Sequence, residues 1–225
     1  MGNMAAALRV DGIDLDIVVD AELVYKLASV KWFRDKGDAR LTTMQALIDS
    51  DIVVDVGGNI GVWAGAIHEK YAPRLYVLEP IDTYCDVLRE KFAGQDRVTI
   101  LKHGLGEPGV HAFALAQSST SQFDTPGATG TVQATLKSFD QFMADEQLHR
   151  IDLLQINIEG GEYTVLEQVL ASPHLRRIKK LQVQYHLNVP DAVEKRQSLR
   201  SRLAQTHREL YCYPFVWEAW ELLPY

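Results

Sequence analysis

Short apolar runs alternate with helical stretches along most of this chain, and that alternation restricts the fold more than any other feature. Ile52–Val56 (IVVDV) is a buried-strand run, and helical character follows over Gly61–Tyr71. Arg74–Pro80 (RLYVLEP) is the next strand, Asp82–Phe92 the next helix with Asp82 as its N-cap, and Arg97–His103 a third strand. Ile151–Ile158 (IDLLQINI) is the strongest buried strand and leads into a helix that stops before Pro173. A strand in KKLQVQYHL and an amphipathic helix in DAVEKRQSLRSRLAQTH come next, and ELYCYPFVWEAWELL reads as two terminal strands. Helices between strands act as the crossovers that parallel pairing needs, so the pattern predicts a doubly wound α/β fold with a mostly parallel sheet. Two terminal strands without a helix between them predict an antiparallel hairpin at one edge.

Outside this core the pattern is weaker. Residues 1–50 read as a helical extension packed on the core, and residues 51–225 as the main domain. One helix is expected over Asp20–Gly37, with Asp20 as N-cap and Gly37 as C-cap, and a second over Ala39–Ser50. In the middle, Gly109–Ala116 and Thr131–Leu136 read as additional strands, the latter at an edge, before the helix SFDQFMADEQ. The polar loop over Ser118–Gly130 is long enough to suit a functional role.

Composition excludes several classes. The 225 residues are 47% hydrophobic and 24% charged, as in one α/β domain with short additions. A net charge of -7 argues against a broad surface for nucleic acid, and none is expected as a partner. The basic clusters RRIKK and EKRQSLRSR read as solvated faces. Cys85 and Cys212 are the only cysteines and lie far apart, so neither a disulfide framework nor a zinc site is expected. No metal is expected, and a reducing, cytoplasmic compartment is favoured. No apolar run approaches the roughly 20 residues of a membrane span. The N-terminus lacks a signal-peptide pattern, and Ala6 stands where a myristoylation motif wants Ser or Thr.

Three glycines crowd the turn after the first core strand, in DVGGNIG (Asp55–Gly61). A helix starting near Gly61 directs its N-terminal amides over this turn, where partial positive charge accepts an anion. The glycines are expected to let backbone approach a ligand where a β-carbon would collide. The turn fails the P-loop pattern, because Val62 and Trp63 stand where Gly and Lys are needed. It also fails GxGxxG, which makes a dinucleotide-dependent oxidoreductase a weak reading. An acid followed by GxxxG remains: Asp55, Gly57, Gly61. This resembles the first motif of class I methyltransferases that use S-adenosylmethionine, and the resemblance implies that Asp55 sits near the cofactor's ammonium. Glu79, ending the second strand, is placed to accept both hydroxyl protons of a ribose.

VVDVGGNIG, YVLEP and DLLQINIEGGEYTVLEQVL together are similar to the FkbM-like methyltransferases, over roughly Ile52 to His186, with TLKSFDQFM matching the lead-in to the fourth motif. The resemblance implies a seven-stranded Rossmann-like sheet and S-adenosylmethionine as cofactor. It also implies transfer of a methyl group to a hydroxyl of a small molecule, sugar or glycan. Cofactor contacts are expected from Asp55, Gly57, Asn59, Gly61, Glu79, Pro80, Gly104 and Asn157, with His103 as a pocket wall near the adenine. Gly58 and Gly161 replace family alanines, Gln155 a lysine, and Asn157 an aspartate at the end of the fourth strand. An amide cannot act as a general base. His186, at the rim after LQVQY, becomes the first candidate for proton removal and Glu159 the second, with Asn157 orienting the reactants. Glu162 is open between a role in the site and a structural place in the first turn of its helix. Asn157 also keeps open a non-catalytic nucleoside-binding module of the same fold. Trp63 is expected in the core, and the aromatics of YCYPFVWEAWELL in the core of the terminal hairpin, with Trp217 or Trp220 as the floor of a sugar or ring-shaped acceptor site as the alternative.

Overall fold

The computed structural model describes residues 3–10, 13–43, 45–115, 120–121 and 130–224. It begins with an antiparallel hairpin, β1 (Asn3–Val10) and β2 (Ile13–Asp20), in register from Asn3↔Asp20 to Val10↔Ile13. The alternation in IDLDIVVD is a period-two signal, so this part of the expected helical extension is sheet instead. Helix α1 (Ala21–Arg34) follows, with the expected Asp20 cap accepting the Glu22 amide at 3.0 Å. Its other end differs from expectation. Asp35 is the C-cap and Lys36 takes the left-handed conformation (φ 54°), whereas Gly37 is right-handed. Gly37 answers to a neighbour: a Cβ there would lie 2.1 Å from the Trp32 ring. The second expected helix reduces to one π-helical turn, Asp38–Thr42, and residues 45–50 hold no helix. The Thr42 and Thr43 hydroxyls donate to the Asp38 and Ala39 carbonyls, a competition that disfavours a continuing helix.

The alternating units then appear as β3 (Ile52–Val56), α2 (Val62–Tyr71), β4 (Arg74–Leu78), α3 (Asp82–Lys91) and β5 (Val98–Leu101). Asp82 is the first residue within α3, and Ile81 holds the cap position without a side-chain bond. Four short strands make a separate sheet: β6 (Gly104–Leu105), β7 (Gly109–Leu115), β8 (Thr120–Ser121) and β9 (Gly130–Lys137), in order β6-β9-β7-β8. The additional strands expected here thus pair with each other rather than with the main sheet. Most of the loop over 118–130 lies outside the described residues. The chain continues through α4 (Phe139–Asp145), β10 (Leu153–Ile156), α5 (Glu162–Ala171), β11 (Lys180–Val183), α6 (Ala192–Leu203), β12 (His207–Tyr213) and β13 (Trp217–Leu222).

The main sheet has seven strands in order β12-β13-β11-β10-β3-β4-β5. β11, β10, β3, β4 and β5 are parallel, and the C-terminal hairpin joins antiparallel at one edge. Strand order reverses between β3 and β10, which opens a crevice over their carboxyl ends. Alternation along the strands divides the core. Val54, Val56, Tyr76, Leu78, Leu154 and Ile156 pack with the side chains of α4 and α5, while Val53, Leu75, Val77 and Leu153 pack with Ile67 and Leu88 on the opposite face. Asp55 and Gln155, register partners on β3 and β10, interrupt that second apolar face. On the same face α1 covers the hairpin, with Ala28 and Trp32 against Tyr213, Val216 and Trp217.

The cluster EKRQSLRSR departs from a solvated face. Arg196 is buried against Glu218, which also pairs with Arg200, while Arg200 reaches Glu209 at 2.5 Å. Position alone decides this: α6 lays Arg196 and Arg200, one turn apart, over the hairpin that carries Glu218.

Candidate functional site

A cavity of about 770 Å³ lies over the crevice, in the range of roughly 300–1,000 Å³ usual for ligand sites. Its floor is Asp55, Gln155 and Asn157; Gly57, Asn59, Glu79 and Pro80 close one side, and Glu159 another. Its roof comes from the N-terminal segment, through Asp38, Thr42 and Thr43, and from the C-terminal hairpin, through Trp217. The roof is tied down across the sheet face. Trp32 Nε1 donates to Asp38 Oδ1 at 3.1 Å, Trp63 Nε1 to the Thr42 carbonyl at 3.2 Å, and Tyr71 to the Thr43 carbonyl at 3.0 Å. Lys180 donates to the Gln45 carbonyl at 2.9 Å.

The glycine turn has a reason within the fold itself. A Cβ at Gly57, where φ is +95°, would lie 2.2 Å from the Asn157 carbonyl oxygen, and at Gly58 2.2 Å from Val77 Cγ1. The crowding comes from the protein's own β10 and β4. The Gly57 and Gly58 amides both donate to the Leu78 carbonyl, at 2.9 and 3.1 Å, and so are engaged within the fold. Gly61 (φ +71°) packs beside Leu88 and caps α2 outside the cavity wall.

Glu79 is buried and holds the turn together. Its Oε2 accepts the Asn59 amide at 2.8 Å and its Oε1 the Ile81 amide at 2.9 Å. A carboxylate has about four lone-pair sites, so two remain for a ligand. Burial raises the Glu79 carboxyl above its ordinary value, and the two amides partly counter that. Asp55, on the neighbouring strand and 2% exposed, lacks such support. Its Oδ1 is buried without a hydrogen-bond partner, as are Gln155 Oε1 and Asn157 Oδ1. Burial, with the Glu79 charge second, pushes Asp55 up to about 7. Three buried acceptor oxygens in one floor call for a ligand that brings donors.

His186 stands behind the wall. Its amide and its Nδ1 meet Glu162 Oε1 at 2.8 and 3.2 Å, and its Nε2 lies 3.6 Å from Glu159 Oε2. Glu162, fully buried, also accepts the Gly160 amide at 2.8 Å, so it orients His186 and the loop at once. Burial lowers the His186 pKa, but the hydrogen bond to Glu162 and the charges of Glu162 and Glu159 outweigh it, and the net direction is upward.

The structure thus brings Asp55, Gly57, Asn59, Glu79, Pro80, Asn157 and Glu159 to one cavity, with His186 reached through Glu159. Gly104 lines an adjoining space of about 30 Å³ that shares Gly57 and Pro80 with the main cavity. His103 lines neither: it is buried beside Phe142, with Nδ1 3.2 Å from the Gly104 carbonyl, and burial lowers its pKa. Trp220 belongs to the core, Trp217 sits in the cluster under α1 and Trp63 packs against the core, as expected, and the last two also line the cavity. Asp38, Thr42, Thr43, Tyr84 and Phe113 join the wall unannounced; a tertiary contact, not a local pattern, puts them there. Among the described residues no cluster of three His, Cys, Asp or Glu side chains could hold a metal, and no helix is long and apolar enough to cross a membrane.

Comparison with solved structures finds the same architecture elsewhere. A candidate rRNA methylase from Clostridium thermocellum superposes with a TM-score of 0.50 at 11% identity, covering 87% of this chain and 97% of that one. The METTL16 MTase domain also gives 0.50 at 11% identity, covering 97% and 87%. At such identity these likenesses concern the fold. No curated protein matches the sequence significantly. The model of the methyltransferase FkbM domain, however, matches residues 55–208, a span that starts at the floor acid Asp55 and takes in Glu79, Asn157, Glu159 and His186. The chain belongs to the FkbM methyltransferase domain family.

Proposed function

We propose that the protein transfers a methyl group from S-adenosylmethionine to a hydroxyl of a small molecule, sugar or glycan in a reducing, cytoplasmic setting. The observation that carries this reading is the pair of buried carboxyls, Asp55 and Glu79, on adjacent strand ends under one cavity. The residues fit the cofactor. Orphaned Asp55 Oδ1 and Asn157 Oδ1 suit an ammonium, and the spare lone pairs of Glu79 suit ribose hydroxyls. Asn59, Pro80 and Gly104 shape the nucleoside side, and Gly57 and Gly61 set the turn. When bound, the cofactor would supply an electrophilic methyl group on a sulfonium, with a neutral thioether as the leaving group.

The chain's own part is alignment and proton handling. Asn157 orients the reactants through its amide. Glu159 stands at the wall, nearest an acceptor, and His186 Nε2 behind it stores the proton; Nδ1 is already committed to Glu162. A positioned base typically contributes about 10²–10⁴-fold. Because the His186 pKa is raised, the acid limb of the rate profile belongs above about 6.5, the ordinary value. Asn157 and the recessed His186 favour a second reading, a cofactor-binding module without turnover.

Titration calorimetry with S-adenosylhomocysteine and NAD, followed by turnover with labelled methyl donor, tests both. S-adenosylhomocysteine is expected to bind more tightly than NAD, and Glu79→Ala to weaken it roughly ten- to a hundredfold. His186→Ala and Glu159→Gln are expected to bind normally and turn over slowly. Tighter NAD binding sinks the methyltransferase reading. Tight S-adenosylhomocysteine binding with no transfer to any acceptor class selects the second.

A further inference from the structure

Four acids face the cavity, Asp38, Asp55, Glu79 and Glu159, and no lysine, arginine or histidine joins them among the described lining residues. Asp55 and Glu79 serve the cofactor in the reading above. The remaining end is framed by the roof turn and Trp217, over Gln155. Its polar groups are mainly acceptors, with the Gln155 amide N–H as the exception. Thr42 and Thr43 give their hydroxyl protons to the carbonyls of their own turn, so only lone pairs are left for a ligand. Asp38 takes one N–H from Trp32 and keeps carboxylate capacity. Gln155 is 3% exposed, lines the cavity, and its Oε1 has no partner. Leaving such an acceptor unmet costs free energy that a ligand O–H or N–H recovers.

Charge sharpens the choice of ligand. A phosphate or carboxylate here would meet carboxylates with no cation to offset them, whereas an ammonium would be drawn in. Trp217, 7% exposed and stacked on Trp32, turns the rim of its indole to the cavity, an apolar edge for a ring to rest on. We propose that this end of the cavity is an acceptor subsite for a hydroxylated ring bearing a protonated amine, in chemical class an amino sugar. The amine sits at Asp38, the ring lies against Trp217, and ring hydroxyls donate to Gln155 and the two threonines. The inference rests on the methyltransferase reading and specifies its acceptor; phosphorylated acceptors and nucleic acids are turned away by the same wall.

Saturation-transfer NMR on protein loaded with S-adenosylhomocysteine tests it, with glucosamine, glucose and glucose 6-phosphate as probes at equal concentration. Glucosamine is expected to give the strongest signal and glucose 6-phosphate the weakest. In Asp38→Asn, which keeps an acceptor for Trp32, the glucosamine signal is expected to drop to that of glucose while S-adenosylhomocysteine affinity holds. An absent glucosamine signal, an equal or stronger response from glucose 6-phosphate, or an Asp38→Asn variant that behaves as wild type overturns the subsite. If S-adenosylhomocysteine itself fails to bind, the methyltransferase reading falls and the subsite with it, so the two failures are told apart in the first titration.

Discussion

Asp55 shows what a buried acid costs a fold. Its ordinary carboxyl value is 3.8, and burial with the Glu79 charge pushes it up to about 7. Between those values the folded chain holds a proton that the unfolded chain has released. Stability contributed by the protonated form is therefore complete at acid pH, falls as pH rises through this window, and stays reduced above it. Asp55→Asn removes the penalty. Urea denaturation is expected to show the variant level with wild type near pH 4 and more stable near pH 8, by at most about 4 kcal/mol. The same variant is expected to bind S-adenosylhomocysteine poorly. A constant stability difference across pH would mean that Asp55 is charged in the free protein. Asp55 and Glu79 stood out in the sequence because each acid breaks or follows an apolar strand run next to a turn. His186 was legible as a rim residue, but its recess behind Glu159 was not, since that depends on where Glu162 holds it.

At the scale of elements, the informative contrast lies between the strands and the roof. Ile52–Val56 and the helix after it were readable because hydrophobic runs and periodicity are local properties. The sequence predicts a continuing helix at the roof turn because Leu41, Met44, Leu47 and Ile48 keep helical spacing. Two threonines bonding to their own carbonyls and tethers from Trp32, Trp63 and Tyr71 overrode that spacing. Those tethers begin at Trp32, and Gly37 is the position that admits its ring. Gly37→Ala has to displace an indole that is 2% exposed, an overpacking expected to cost about 1–3 kcal/mol. The variant is expected to raise KM for the acceptor more than Kd for S-adenosylhomocysteine, measured by steady-state turnover and calorimetry. Equal losses would show that the roof belongs to the cofactor end as well. The hairpin β1–β2 carried a readable alternation, but the helical signal of α1 next to it led the whole segment to be taken as helical.

Over the whole molecule, the segment before the sheet and the hairpin at its end close on each other, through Trp32 and Trp217, whose rings stack with centroids 6.5 Å apart. That closure depends on the hairpin being anchored from its other side, where Glu218 receives Arg196 and Arg200 from α6. Removing one member of a buried ion group leaves the rest unpaired in low dielectric, so Glu218→Gln is expected to cost about 3–5 kcal/mol in chemical denaturation. A loss below about 1 kcal/mol would show that water reaches the arginines and that the group behaves as a surface one. Sequence reading could not supply this link, because nothing local distinguishes Arg196 from its exposed neighbours. The division of the cavity has a consequence for descent. Its floor falls within the family-matched span 55–208, whereas Asp38, Thr42, Thr43 and Trp217 flank that span on both sides. With the acceptor seated as proposed at Asp38 and Trp217, its recognition can be altered by substitutions outside the family-matched span while the floor shared with the family stays as it is.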